Sequence, residues 1–150
     1  MKKVLFVCTA NICRSPMAQA IFDVLAEDEG LALRSESAGT AALEGRSITP
    51  NAIAALEEVG IYPSPHRARR VSSAMVGGAE LVLAMTPQHA AILARLQAEP
   101  AGGIHTLPGY ATGAADQGIP DPYGLTIASY RNTLRLLYEY LERVVDRLRN

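Results

Sequence analysis

The chain has 150 residues, of which 49% are apolar, and a formal net charge of −1. This length suits a single domain over residues 1–150 with a substantial core, and the composition excludes a disordered chain. The near-neutral charge argues against a general nucleic-acid binder, and no apolar run approaches the roughly 20 residues of a membrane span. The two cysteines, Cys8 and Cys13, are too close in sequence for a disulfide to stabilise much of a fold. We therefore expect a cytoplasmic protein.

Short β-prone apolar runs alternate with helical patterns along the chain. The runs predict strands over residues 4–7, 31–37, 81–85 and 104–107. Proline or serine starts and apolar residues at three- and four-residue steps predict helices over 16–29, 50–60, 73–78, 87–96 and 127–148. Ser15 is the expected N-cap of the first helix, and residues 109–121 are predicted to be a long loop. This order predicts a three-layer α/β fold, with a central four-stranded parallel sheet and helices on both faces.

The segment from Cys8 to Pro16 joins the first strand to the first helix. Backbone N–H groups gather in such a loop and bind an anion such as phosphate. They would also stabilise Cys8 as a thiolate, with a hydroxyl hydrogen bond from Ser15, while Arg14 can hold two phosphate oxygens. The pattern predicts attack of Cys8 on phosphorus and hydrolysis of a phosphocysteine, with no metal or cofactor needed. The other phosphate-binding positions are Thr9, Ala10, Asn11, Ile12 and Cys13.

A thiolate that expels a poor leaving group needs a proton donor. Asp121 is the candidate, because Pro120 and Pro122 hold its backbone extended and the preceding loop could carry it over the site. Asp-Pro is also a common turn, so the residues alone leave this role open. Asp116 is interpreted as a solvated loop charge.

The chain resembles the low-molecular-weight protein tyrosine phosphatase family almost from end to end. The motifs that carry the resemblance are the phosphate loop 8–16, the Ser37-Ala38-Gly39 turn, residues 60–69 and Asp121-Pro122-Tyr123. It implies that Cys8 is the nucleophile, Arg14 the phosphate binder and Asp121 the general acid. It further implies that Tyr123 forms one wall of the pocket, that Cys8 and Cys13 form a reversible disulfide, and that a hydrogen-bonded network shapes the loop. The members of that network are Asn11, Ser15, Ser37 and His66. His89 and His105 are assigned no role.

The substrate signals conflict. The chain has no tryptophan, residues 40–44 contain no aromatic side chain, and Gly124 stands where family members that act on phosphotyrosine often have a second aromatic. Residues 79–86, 106–113 and 121–124 are similar to the bacterial protein-arginine phosphatase branch. That branch typically has a threonine at the position of Ile12, whereas an isoleucine suits an aromatic ring and leaves guanidinium N–H groups unpaired. We therefore predict a phosphotyrosine phosphatase, with a protein-arginine phosphatase as the alternative.

Three other classes of protein are less well matched. A thiol-linked arsenate reductase needs resolving cysteines downstream, and none follows Cys13. A cysteine phosphocarrier would need neither Arg14 nor a general acid. A non-catalytic phosphate-binding module would be expected to lack Cys8 or Asp121. The expected partners are phosphorylated proteins, with no nucleic acid or membrane, and the expected state is a monomer.

Overall fold

A four-stranded parallel sheet forms the centre of the molecule in the computed structural model, which describes residues 2–114 and 118–150. Its strands are β1 (Lys2–Cys8), β2 (Leu33–Gly39), β3 (Leu81–Ala84) and β4 (Ile104–Thr106). They lie in the order β2-β1-β3-β4 and all pair in parallel. The predicted α/β class and the central parallel sheet are thereby confirmed. Because β1 is an inner strand, its carboxyl end opens onto the edge where β2 and β3 also end.

Six helices connect or cover the strands in the described part of the chain. They are α1 (Arg14–Asp28), α2 (Pro50–Glu58), α3 (Ser73–Gly78), α4 (Pro87–Ala94), α5 (Leu107–Thr112) and α6 (Ile127–Arg149). The helix α6 packs against α1, α2 and α5, whereas α4 packs against β3 and β4. Helices therefore cover both faces of the sheet, as the sequence predicts. Among the described residues, no helix is both long enough and apolar enough to cross a membrane.

The side chains of β1 alternate between two separate apolar cores, as those of a strand buried on both faces must. Val4 and Phe6 point into the larger core, which α1, α2 and α6 complete. Leu5 and Val7 point into the smaller core beneath α3 and α4. Cys8 follows in the same alternation as Phe6 and belongs to the larger core, at the point where the strand gives way to the loop.

Two local predictions are wrong. Ser15 does not cap α1: the N-cap residue is Cys13, and Ser15 is the second residue of the helix. The region from Leu107 onward is not strand followed by loop, because α5 begins there with Thr106 as its N-cap and Pro108 in its first turn. The Thr106 hydroxyl accepts the Gly109 N–H at 3.1 Å, the same threonine and proline start that correctly predicts α4. Asp116 lies outside the described residues.

Candidate active site

The Cys8 thiol is held by two donors at the end of β1. It is buried, and its Sγ accepts the backbone N–H of Asn11 at 3.3 Å. The Ser15 hydroxyl lies 2.9 Å from the same sulfur, and its oxygen accepts the Asn11 side-chain amide at 2.8 Å. The Ala38 carbonyl is a second, longer acceptor for the Ser15 proton at 3.4 Å, and a thiolate at Cys8 is the stronger one because the hydrogen bond to it is charge-assisted. Within the described residues no side chain caps α1, which leaves the first turn of the helix open towards an anion. The arrangement favours a negatively charged sulfur beside a bound phosphate.

Asn11 is the centre of the network that shapes the loop. It is buried in the left-handed region at φ 59°, which asparagine tolerates better than most residues. Its Nδ2 also donates to Ser37 Oγ at 2.9 Å, its Oδ1 accepts the Arg69 N–H at 3.0 Å, and its carbonyl accepts His66 Nε2–H at 2.7 Å. Burial lowers the pKa of His66 below its ordinary value, with the Arg69 cation adding to this and the hydrogen bond to the Asn11 carbonyl opposing it, so the neutral ring predominates near pH 7. The backbone of the loop is therefore bonded on several sides.

The end of β2 fits tightly under the same loop. A Cβ atom on Gly39 would lie 2.3 Å from the carbonyl oxygen of Thr9, so only glycine is accommodated at this position. The next two residues donate backbone N–H groups, Thr40 to the Cys8 carbonyl and Ala41 to the Thr9 carbonyl, both at 2.9 Å. Residues 37–39 are therefore the end of β2 and not a turn, and the two residues that follow them support the phosphate loop through their backbone N–H groups.

Arg14 and Asp121 meet at the opposite side of the site. The Arg14 side chain is buried, and its Nη1 donates to the carbonyl of Ile119 at 3.0 Å. Its Nη2 lies 3.6 Å from Asp121 Oδ2. The other carboxylate oxygen of Asp121 accepts the N–H of Tyr123 at 3.1 Å, which is an Asx-turn. The structure therefore brings the predicted acid to the predicted phosphate binder, with the Tyr123 ring 55% exposed beside them.

The remaining loop positions differ in exposure. Thr9 is exposed and Ala10 is half-buried, whereas the side chain of Ile12 is only 1% exposed and packs into the larger core. Ile12 therefore presents little open surface to a substrate, less than the sequence-based argument assumed.

Cys13 is a free, buried thiol, as Cys8 is. Its Sγ lies 3.4 Å from both Thr49 Oγ1 and Tyr130 Oη. Burial raises the pKa of the Cys13 thiol, and burial is also the main cause that raises the pKa of Tyr130 to about 12. Cys13 is therefore a protonated thiol near neutral pH, and Tyr130 is a neutral phenol.

Sequence reasoning missed three supporting residues. Gln19 accepts the Ser37 hydroxyl at 2.7 Å, and Arg69 donates its side-chain Nε–H to the Ser37 carbonyl at 3.1 Å. His89, which was assigned no role, lies 2.8 Å from Thr9 Oγ1. The contact between His89 and Thr86 was predictable, because a residue three positions after a threonine N-cap lies next to that threonine. The contact between His89 and Thr9 was not, because only the fold brings these two residues together.

A metal centre has no support in the part of the chain that the structure describes. Among residues 2–114 and 118–150, no group of three or more histidine, cysteine, aspartate or glutamate side chains is arranged to hold a metal ion.

A parallel α/β sheet whose first strand ends in a thiol-bearing anion loop defines a protein of the α/β phosphatase class. The model of the family described as low molecular weight phosphotyrosine protein phosphatase matches residues 3–150. The chain belongs to this family and is a hydrolase.

Its relatives include enzymes named for two different substrates. The protein-arginine-phosphatase of Bacillus subtilis is 38% identical over 146 residues, which cover 97% of this chain and 96% of the relative. The low molecular weight protein-tyrosine-phosphatase of Streptomyces coelicolor is 38% identical over 128 residues, covering 81% and 77%. The solved structure of the YwlE arginine phosphatase, in a mutant with a phosphorylated active-site serine, superposes with a TM-score of 0.90 at 36% identity over 99% of this chain and 96% of that one.

Proposed function

We propose that this protein hydrolyses phosphotyrosine in proteins through a phosphocysteine formed on Cys8. The observation that carries the proposal is the Cys8 sulfur itself, which accepts hydrogen bonds from the Asn11 N–H and the Ser15 hydroxyl inside an anion-binding loop. Such contacts stabilise a thiolate, the form in which cysteine is a nucleophile. The YwlE mutant relative has a phosphorylated active-site serine, which supports covalent transfer of the phosphoryl group to an active-site side chain in this family.

In the first step, the Cys8 sulfur attacks phosphorus in line with the bond to the leaving oxygen. Arg14 and the loop amides bind the non-bridging oxygens and stabilise the charge that they carry in the transition state. Ile119 fixes the guanidinium by accepting one of its N–H groups, so Arg14 is already oriented before the substrate arrives.

Asp121 protonates the leaving oxygen and afterwards removes a proton from the water that hydrolyses the phosphocysteine. Its contacts support both roles: the Asx-turn to Tyr123 fixes one carboxylate oxygen, and the other faces Arg14. The Asp121 side chain is about half exposed, so it can exchange protons with solvent.

Phosphotyrosine is favoured because exposed apolar side chains follow Asp121 and the segment bonded to the phosphate loop, and because residue 12 has no hydroxyl group. Tyr123 is exposed next to Asp121, where it can stack against an aromatic ring. Leu43 is 66% exposed. It follows Thr40 and Ala41, whose backbone N–H groups donate to the carbonyls of Cys8 and Thr9. A guanidinium leaving group would need acceptors for its N–H groups, and Ile12 provides none.

A protein-arginine phosphatase is the second candidate, and one observation favours it. Because the Ile12 side chain is buried, it makes a smaller contribution to the pocket wall than an exposed side chain would. We further propose that the protein acts as a monomer in the cytoplasm, with phosphorylated proteins as its substrates.

The covalent intermediate can be tested directly. A ³²P-labelled phosphotyrosine peptide is mixed with enzyme, quenched in acid within milliseconds, and the bound label is measured. Wild type and Cys13→Ala should become labelled, Asp121→Asn should hold the label longer, and Cys8→Ser should release no inorganic phosphate. Equal turnover by Cys8→Ser and wild type would refute the mechanism.

A further inference from the structure

His89 joins two segments of the site that the sheet alone does not connect. It lies in the first turn of α4 and is only 6% exposed. Its Nε2 is 2.8 Å from Thr9 Oγ1, on the phosphate loop, and its Nδ1 is 2.8 Å from Thr86 Oγ1, at the N-cap of α4. One ring nitrogen therefore has its partner on the phosphate loop, and the other has its partner at the N-cap of α4.

Each nitrogen of His89 has a threonine hydroxyl as its partner. The Thr86 oxygen also accepts the backbone N–H of His89 at 3.2 Å, which fixes the hydroxyl next to the ring. A neutral imidazole donates from one nitrogen and accepts at the other, so His89 is hydrogen-bonded on both sides in either tautomer. Burial, followed by the nearby Arg14 cation, lowers the pKa of His89 to about 4, against an opposing effect of Asp121, so the ring is neutral at pH 7.

Thr86 is in turn packed against the segment that leads to Asp121. The carbonyl of Met85 accepts the N–H of Ile119 at 2.8 Å. A Cβ atom on Gly118 would lie 2.8 Å from the methyl group of Thr86, so the backbone of Gly118 lies close against the Thr86 side chain. The carbonyl of Ile119 then receives the Arg14 guanidinium. A continuous chain of contacts runs from Thr9 through His89 and Thr86 to the acid-bearing segment.

This chain of contacts is separate from the other supports of the phosphate loop. The partners of Asn11 come from α1, from β2 and from the segment of residues 66–69. Those contacts shape the loop itself and do not touch the segment that carries Asp121. The His89 bridge joins the loop to the junction of β3 and α4, which is the surface on which that segment rests.

We propose that His89 is a positioning residue that sets the phosphate loop and the Asp121 segment in register, so that the acid reaches the leaving oxygen when Cys8 attacks. The proposal rests on the proposed function, because it assigns His89 to the step in which Asp121 donates its proton. His89 itself contacts neither the thiol nor the acid in the described hydrogen bonds.

Leaving-group dependence separates positioning from a merely structural role. An aryl phosphate with a good leaving group, such as p-nitrophenyl phosphate, depends little on protonation, whereas phenyl phosphate depends on it strongly. If His89 aligns the acid, His89→Ala should lower kcat/KM, which reports formation of the phosphocysteine, at least tenfold more for phenyl phosphate than for p-nitrophenyl phosphate, as Asp121→Asn should. In the Asp121→Asn background, the same substitution should add no further leaving-group effect.

Milder variants keep the test decisive if His89→Ala folds poorly, which its melting temperature would show. Thr86→Val keeps the methyl group that lies against Gly118 but removes the hydroxyl, and should show the same selective loss. Thr86→Ser keeps the hydroxyl that bonds to His89 and should show a clearly smaller loss than Thr86→Val. His105→Ala is the control, since that histidine bonds to the Gly102 carbonyl beside β4 and should leave the ratio of the two kcat/KM values unchanged.

If kcat/KM fell equally for phenyl phosphate and p-nitrophenyl phosphate in His89→Ala and Thr86→Val, the inference would be overturned and the proposed function would stand. If Cys8→Ser or Asp121→Asn retained full activity, the proposed function would fail instead, so the two failures are distinguishable.

Discussion

Removal of the Asn11 side chain should destabilise the phosphate loop more than any exposed polar substitution. Asn11→Ala deletes three side-chain hydrogen bonds, to Ser15, Ser37 and the Arg69 N–H. At about 1 kcal/mol net for each bond, this loss amounts to about 3 kcal/mol. Alanine at φ 59° adds roughly 1 kcal/mol of backbone strain, giving about 4 kcal/mol in all.

A second variant separates the two contributions. Asn11→Gly deletes the same hydrogen bonds but tolerates the positive φ, so it should cost about 1 kcal/mol less than Asn11→Ala. The matched control is Asn132→Ala on the exposed side of α6, which should change the free energy of unfolding by less than about 0.5 kcal/mol.

Urea unfolding at equilibrium, with free energies extrapolated to water, gives the stabilities, and kcat/KM on a phosphotyrosine peptide reports the state of the loop. Both Asn11 variants should lose activity together with stability, because the Asn11 N–H and the Ser15 hydroxyl that hold Cys8 lose their support. A loss below about 1 kcal/mol with unchanged kcat/KM would show that the network does not shape the loop.

Three further predictions follow from the same contacts. Gly118→Ala places a methyl group against the threonine that caps α4 and should lower kcat/KM most for poor leaving groups, whereas Gly78→Ala, with open space around it, should not. His89 has a pKa of about 4 in the folded protein and about 6.5 in the unfolded chain, so its contribution to the free energy of unfolding is complete above pH 6.5 and is lost as the pH falls towards 4. In urea titrations over that range, the free energy of unfolding of wild type should fall by up to about 3 kcal/mol more than that of His89→Gln. Parallel curves of stability against pH would refute this. After peroxide treatment, wild type should recover with added thiol through a disulfide between Cys8 and Cys13, and Cys13→Ala should recover less; equal recovery would count against the disulfide.

The sequence predicted the sheet well because its strands are short apolar runs separated by clear helix starts. The Thr86-Pro87 pair marks the beginning of α4, and Gly30 and Gly60, both at positive φ, follow the ends of α1 and α2. The same threonine and proline signal at Thr106 was overlooked, since the glycines after it suggested a loop.

The centre of the site was predictable because its residues are contiguous in sequence, with Cys8 and Arg14 placed by one strand–loop–helix turn. The residues that support the loop, Gln19, Arg69 and His89, were not predictable, because they come from distant segments that only the fold brings together. The position of Ser15 in the sequence is compatible with a helix N-cap and with a hydrogen bond to the Cys8 thiol. In the structure, Ser15 contacts the thiol and does not cap α1. Ile12 was expected to line the pocket, but a periodic pattern does not show how deeply a loop side chain is buried.

The choice of substrate is tested most directly by kcat/KM on two peptides of one sequence that carry either phosphotyrosine or phosphoarginine, with Cys8→Ser as the blank. We expect a preference for phosphotyrosine of tenfold or more, which corresponds to about 1.4 kcal/mol of differential transition-state binding. A comparable preference for phosphoarginine would contradict the account and show that the pocket supplies acceptors for a guanidinium despite Ile12.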